Sequence, residues 1–118
     1  MQQSRPSLTV TKKVLNRVDL IAAAGRVDAS TAPILDQYLK DSIQDGRYRL
    51  VVDFRGTDYI SSAGLKVLVA TLKEAKRHRG DVRLAGLSRN LKETFSMVGL
   101  VPELFKVYDE PLDAVGSF

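Results

Sequence analysis

Apolar and polar residues alternate along Leu8-Thr9-Val10-Thr11, the period of a strand with one buried face. Asn16-Arg17 reads as a turn, and residues 18–24 form a second, more apolar run that ends at Gly25, so the two predict a hairpin at one side of a sheet. The period then lengthens. Leu35, Leu39 and Ile43 recur at i, i+4 and i+8 with Tyr38 on their border, which predicts an amphipathic helix capped by Ser30 or Thr31, carrying Pro33 in its first turn and closed by Gly46. Residues 49–54 (RLVVDF) are the most apolar β-branched stretch and the expected central strand. After a loop, Leu65, Leu68, Val69 and Leu72 mark the inner stripe of a long helix over about 62–79, stopped by Gly80. Residues 82–86 read as a strand. Ser88 caps a third helix in which Leu91, Phe95 and Val98 face inward and Gly99 is the exit. Residues 104–108 suggest a short edge strand, and 110–115 a last helix with Pro111 in its first turn.

The order β-β-α-β-α-β-α-β-α predicts an α/β fold, with a mixed sheet of four to five strands, about four helices, and parallel crossovers after residue 25. The 118 residues suit a single domain over 8–118 behind a flexible leader, 1–7. Such a length buries a core without staples, and the absence of Cys excludes disulfides, thiol catalysis and cysteine-ligated zinc. The opening MQQSRPS lacks the layout of a signal peptide, and no apolar run reaches the ~20 residues of a membrane helix. A cytoplasmic, soluble monomer without membrane contact is the expectation. The formal charge is +4, with basic residues gathered at Lys73, Lys76, Arg77, Arg79, Arg83, Arg89 and Lys92. No aromatic residue is interleaved with them and no nucleic-acid-binding signature occurs. A solvated helix end whose cations complement its dipole explains the first four, so no direct nucleic-acid partner is expected.

Little here suggests catalysis. His78 is the only histidine, set between two arginines late in a helix, where it is expected to be solvated. The carboxylates lack metal-ligand spacing and there is no phosphate loop, so neither catalytic residues nor a metal or cofactor are expected. One segment stands out: residues 53–65, DFRGTDYISSAGL, run from strand through loop to helix start, with Ser61 and Ser62 at the cap and Gly64 in the first turn. Helix capping by itself accounts for two serines there. A helix N-terminus also stabilises an anion, so a phosphate on Ser62, adding roughly −1.5 to −2 charges, would sit there without unfolding the helix and would expel an acidic or apolar partner. Gly64, lacking a side chain, would let that partner approach the backbone.

These residues resemble a known family. Tyr59-Ile60-Ser61-Ser62-Ala63-Gly64-Leu65-Lys66-Val67-Leu68 is similar to the phosphorylation motif of STAS-domain anti-sigma factor antagonists, commonly Asp-Ser-(Ser/Thr)-Gly-Leu, and matching Gly64-Leu65 places Ser62 at the acceptor. Gly25-Arg26-Val27-Asp28 with Thr31-Ala32 resembles the family's Gly-x-(Leu/Ile/Val)-Asp-x-x-(Thr/Ser)-Ala, and Gly99-Leu100 with Leu104-Phe105 its C-terminal Gly-Leu…Phe. The matches span about residues 8–116. Two positions depart from the pattern: Ser61 replaces the motif's Asp, which leaves it as a second candidate acceptor, and Ala63 replaces a hydroxyl residue.

The resemblance implies a STAS-like domain that is a switch rather than an enzyme. Its partner would be an anti-sigma factor that is also a serine kinase of the GHKL ATPase type; phosphorylation of Ser62 would release it and a metal-dependent serine phosphatase would reset it. Asp28, Thr57, Ser61, Ser62, Ala63 and Gly64 form the expected partner surface. The alternatives are a non-catalytic accessory STAS subunit of a lipid- or anion-transport assembly, and a binder of nucleotide or nucleic acid through the basic patch.

Overall fold

In the computed structural model, which describes residues 7–118, the two N-terminal apolar runs form an antiparallel hairpin of β1 (Leu8–Leu15) and β2 (Val18–Val27). Asn16 turns it with φ 61°, a left-handed conformation that asparagine tolerates. The remaining elements are α1 (Ala32–Gln44), β3 (Arg49–Ile60), α2 (Ser62–Arg77), β4 (Asp81–Ala85), α3 (Arg89–Met97), β5 (Val107–Tyr108) and α4 (Pro111–Gly116). The sheet order is β1-β2-β3-β4-β5, with β3 central and every pairing after the hairpin parallel. This is the mixed five-stranded α/β arrangement expected from the sequence. The expected leader, apart from Ser7, lies outside the described residues.

Alternation along β3 assigns the two faces of the sheet. Leu50, Val52 and Phe54 join Leu35 and Leu39 of α1, Leu68 and Leu72 of α2, and Leu91 and Phe95 of α3 in the main core. Val51 points the other way, into a smaller cluster with Val18, Ala85 and Ala114 of α4. Three helices therefore cover one face and a short one the other.

Several boundaries differ from expectation: the edge strand expected over 104–108 is only Val107–Tyr108, with residues 101–105 in turns, and three further differences have clear causes. β3 runs through residues 55–60, taken above as loop, because β2 also continues past Gly25 and the two strands pair across register shifts, Ala24 with Gly56, Gly25 with Thr57 and Arg26 with Tyr59. Glycine is required at 56, where a Cβ would lie 2.8 Å from that of Ala24. Val98 is 54% exposed rather than inward-facing, since α3 stops at Met97 and the chain turns at Gly99 (φ 73°), leaving Leu100 to pack on the core. At the end of α2 the left-handed residue is Arg79 (φ 62°), not Gly80. The Arg79 amide donates to the Lys76 carbonyl (3.2 Å) and that of Gly80 to the Ala75 carbonyl (2.8 Å), a Schellman closure with arginine where glycine is usual. Gly80 answers a different demand, because a Cβ there would lie 1.9 Å from the Tyr48 carbonyl oxygen.

One charged group lies wholly inside. The Asp19 carboxylate, on β2, accepts from the Ser42 hydroxyl (2.6 Å) and pairs with Arg47, while Lys12 approaches to 3.9 Å. It joins β1, β2 and the end of α1 across a junction that apolar packing does not fill. Removing one partner strands a charge, so Asp19→Ala is expected to lower the unfolding free energy in urea by about 3 kcal/mol. Adding Arg47→Met should recover most of it; a loss in the double variant equal to the sum of the two single losses would contradict the pairing.

Candidate functional site

The site is built where β2 and β3 end side by side. The Ser61 amide donates to the Val27 carbonyl (2.7 Å), the last bond holding these strands together before each chain leaves the sheet for a helix. Residues 28–31 and 61–64 are therefore neighbours at the C-terminal edge of a parallel pair, the edge at which open α/β sheets hold their ligands.

Ser61 is the N-cap of α2, extended (φ −86°, ψ 172°), and its hydroxyl accepts a long bond from the Gly64 amide (3.5 Å). Capping thus falls to Ser61, and Ser62, the first helical residue, is exposed. The half-buried Ala63 follows it. Gly64 is buried, and the reason for glycine is internal: a Cβ would lie 2.6 Å from both Ile60 Cγ1 and Val27 Cγ1. The expectation that Gly64 opens the backbone to a partner is corrected accordingly. Thr57 is corrected in the same way, since it is 2% exposed and its hydroxyl donates to the Ala23 carbonyl (2.9 Å), fastening β3 to β2. Both position the site without lining its surface.

Asp28 organises the facing turn. Its Oδ1 accepts from the Ser30 hydroxyl (2.7 Å), the Ser30 amide (3.0 Å) and the Thr31 amide (3.0 Å). Thr31 is the N-cap of α1 but does not cap with its side chain; its hydroxyl donates to the Arg26 carbonyl (2.7 Å) and accepts from the Asp28 amide (2.9 Å). These donors, the Ser30 hydroxyl above all, hold the Asp28 carboxyl below its ordinary pKa, outweighing the opposing effect of desolvation. Nearby, the Arg26 guanidinium lies 4.3 Å from the centre of the exposed Tyr59 ring.

Sequence reasoning missed the surface that continues from Ser62. An apolar groove of about 420 Å³ runs down α2 past Leu65, Val69 and Ala70, with Val98 and Leu100 as its far wall and Lys66 and Lys73 on its rim. Met97, 86% exposed, stands beside Val98 in the chain. The signal was present in Val98, whose apolar side chain was assigned to the core. The sole histidine is remote from all of this, at the C-cap of α2, stacked on Tyr48 (4.1 Å between ring centres) and 3.6 Å from Glu74. Among the described residues no His, Asp and Glu group is placed to hold a metal, and no helix is long and apolar enough to cross a membrane.

Comparison with known proteins gives a consistent result. The family model for the STAS domain matches residues 9–114. A Bordetella bronchiseptica protein named as an anti-sigma factor antagonist, BtrV, is 31% identical over 110 residues, covering 91% of this chain and 94% of its own. The crystal structure of an anti-sigma factor antagonist from Mycobacterium paratuberculosis superposes with a TM-score of 0.85 at 26% identity, covering 98% of this chain and 97% of that one. The Bacillus cell fate determinant SpoIIAA, in its phosphorylated form, shares the fold with a TM-score of 0.74 at 16% identity, over 92% of this chain and 98% of its own.

The Asp28 turn makes a pH prediction. A carboxyl whose folded pKa is depressed adds stability above its unfolded pKa, and that contribution is lost as pH falls through the folded value. An NMR titration should place the Asp28 midpoint below the ordinary 3.8, and Asp28→Ala should flatten this part of the acid limb of the stability curve. A midpoint at or above 3.8 would contradict the hydrogen-bonding account.

Proposed function

Because this chain belongs to the STAS domain family, of the anti-sigma factor antagonist type, we propose that it is a partner-switching regulator controlled by a phosphate on Ser62. In this reading it binds, without catalysis of its own, an anti-sigma factor that is also a serine kinase with a GHKL-type ATPase fold. The kinase transfers the γ-phosphoryl group of its ATP to the Ser62 hydroxyl, the complex dissociates, and a metal-dependent serine phosphatase removes the phosphate. Such an exchange would take place in the cytoplasm.

The observation that carries the reading is the division of labour at the start of α2. Ser61 caps the helix, so the Ser62 hydroxyl is not needed for capping and stands exposed at the first helical position. A phosphate there faces the free amides and positive end of a 16-residue helix. Lys66, one turn on, offers a cation at the i+4 spacing. The modified side chain is thus tolerated by the fold while the surface around it changes by roughly −1.5 to −2 charges.

Asp28, Ser61 and Ala63 complete the kinase-facing surface around Ser62, and the apolar groove extends it. A partner segment laid along Leu65, Val69 and Val98 would begin at the phosphorylated hydroxyl. Its apolar contacts would supply affinity and its acidic groups would meet Lys66 and Lys73, so the new negative charge opposes it at close range.

Ser62→Glu is expected to weaken kinase binding at least a hundredfold, while Ser62→Ala binds as wild type and cannot be released by ATP. Val69→Asp, placing a charge in the groove away from the acceptor, should weaken binding about tenfold or more with an unchanged circular dichroism spectrum. Affinity capture from lysate with mass spectrometry, followed by calorimetry on the recovered kinase, reads all three. Equal binding by wild type and Ser62→Glu would overturn the proposal and return Ser62 to a plain helix position.

A further inference from the structure

Near the switch, but on the side of the sheet away from α1, α2 and α3, the end of the β2–β3 pair carries two side chains that the core leaves uncovered. Val27 and Ile60 belong to the main core. Their strand neighbours Arg26 and Tyr59, which are partners in the ladder, therefore point to the opposite side. Arg26 is exposed, Tyr59 keeps 40% of its surface in solvent, and neither joins a core cluster. The guanidinium carbon lies over the ring, 4.3 Å from its centre, as a cation on an aromatic face.

The charge on Arg26 is not matched within the chain. It makes no ion pair among the described residues, with Asp28 and Asp58, the carboxylates nearest to the pair in sequence, included. The Asp28 Oδ1 is taken by Ser30 and Thr31 instead. The backbone beneath Arg26 is held from the β1 side, where its amide donates to the Ser7 carbonyl (2.9 Å). Gly25 permits that approach, since a Cβ there would lie 2.1 Å from the same oxygen. A guanidinium stacked on an aromatic face keeps its N–H edge available. The donors are thus set in place before any partner arrives, which lowers the ordering cost of binding.

The pair also lies close to the acceptor. Tyr59 precedes Ser62 by three residues, so their Cα atoms are at most about 11 Å apart. An ordinary protein interface, about 800 Å² on each partner, spans that distance. The apolar groove along Leu65, Val69 and Val98 lies on the helix-covered side of the acceptor, and Arg26 and Tyr59 lie on the other. A partner that reaches both grips the end of the sheet from two sides. Tyrosine and arginine are, moreover, residue types in which interface energy is concentrated.

We propose that Arg26 and Tyr59 form a second contact for the kinase that modifies Ser62, with a carboxylate side chain of that partner seated in the Arg26 fork. The inference rests on the switch reading above and adds a specificity determinant to it. The groove selects an apolar segment, and the fork selects an acidic residue at a set distance from the hydroxyl. A carboxylate meets a guanidinium through two parallel hydrogen bonds, so the contact fixes orientation as well as adding affinity. One unmatched cation beside one exposed aromatic suits a single acidic side chain. A nucleic-acid strand or an anionic membrane calls for a row of cations.

The test is calorimetry of the whole protein with the recovered kinase, together with steady-state phosphorylation by it. Arg26→Glu should weaken binding about thirtyfold or more and raise KM for phosphorylation with kcat little changed, because docking is made equally before and during transfer. Arg26→Lys keeps the charge without the fork and should recover only part of the loss. Tyr59→Thr should weaken binding about tenfold while its melting temperature stays within about 5 °C of wild type, since a cross-strand pair adds little stability. Arg17→Glu, the same charge change at the opposite end of β2, should alter binding less than twofold. Unchanged binding by Arg26→Glu where Ser62→Glu no longer binds would overturn this contact and leave the switch standing. Loss in Arg26→Glu with Ser62→Glu bound as tightly as wild type would uphold the contact and overturn the switch. Equal losses in Arg17→Glu and Arg26→Glu, or wild-type binding by Arg26→Lys, would overturn the contact. Self-association of the free protein that Arg26→Glu abolishes would do so too, by assigning the pair to a second copy. Absence of any such kinase from the capture would overturn both.

Discussion

The hydrogen bond from the Ser61 amide to the Val27 carbonyl fixes the relation on which the rest depends. It exists because β2 and β3 keep pairing beyond the point where their apolar runs end, through two register shifts. Gly56 permits the close approach and the Thr57 hydroxyl fastens it. Shorten either strand and the serine-bearing helix would start at a different place relative to the Asp28 turn. Gly64 then lets α2 sit directly on Val27 and Ile60, so the helix start is held from below by packing and from the side by the sheet. The start of α2 is held in place by contacts that lie beneath its surface.

That separation explains which parts could be read in advance. α1, α2 and the first half of β3 were legible because a buried stripe leaves a period in the sequence. Residues 55–60 were not, because a strand extension whose outward positions are Arg55, Asp58 and Tyr59 carries no apolar alternation. The two serines were legible as a helix start, and the family motifs singled out Ser62, but only the geometry divides capping from exposure. Thr57 and Gly64 were assigned to the right place and the wrong face. Val98 was misread because a helical period was carried one residue past the end of α3. The basic patch was legible in part, through Lys76, Arg79 and Arg83, but Arg17 and Arg49 join it only because three connections distant in the chain meet through the order of the sheet.

The two ends of α2 make a physical contrast. Its N-terminus offers free amides, a hydroxyl and an apolar groove with a lysine rim, a surface suited to a protein partner and to one added anion. Its C-terminus is instead a closed helix stop, with Arg79 in the left-handed position and Gly80 packed against the Tyr48 carbonyl. The core between them is continuous, from Leu68 and Leu72 to the sheet.

The central claim is that Ser62 carries a phosphate that the fold accepts and the partner does not. The most direct measurement is phosphorylation of the intact protein by its kinase, with the site mapped by tandem mass spectrometry and backbone amide exchange recorded before and after. The account predicts one phosphate, on Ser62, with the amides of the first turn of α2 at least as protected as before. A phosphate on another residue, or a first turn that loses protection, would contradict it.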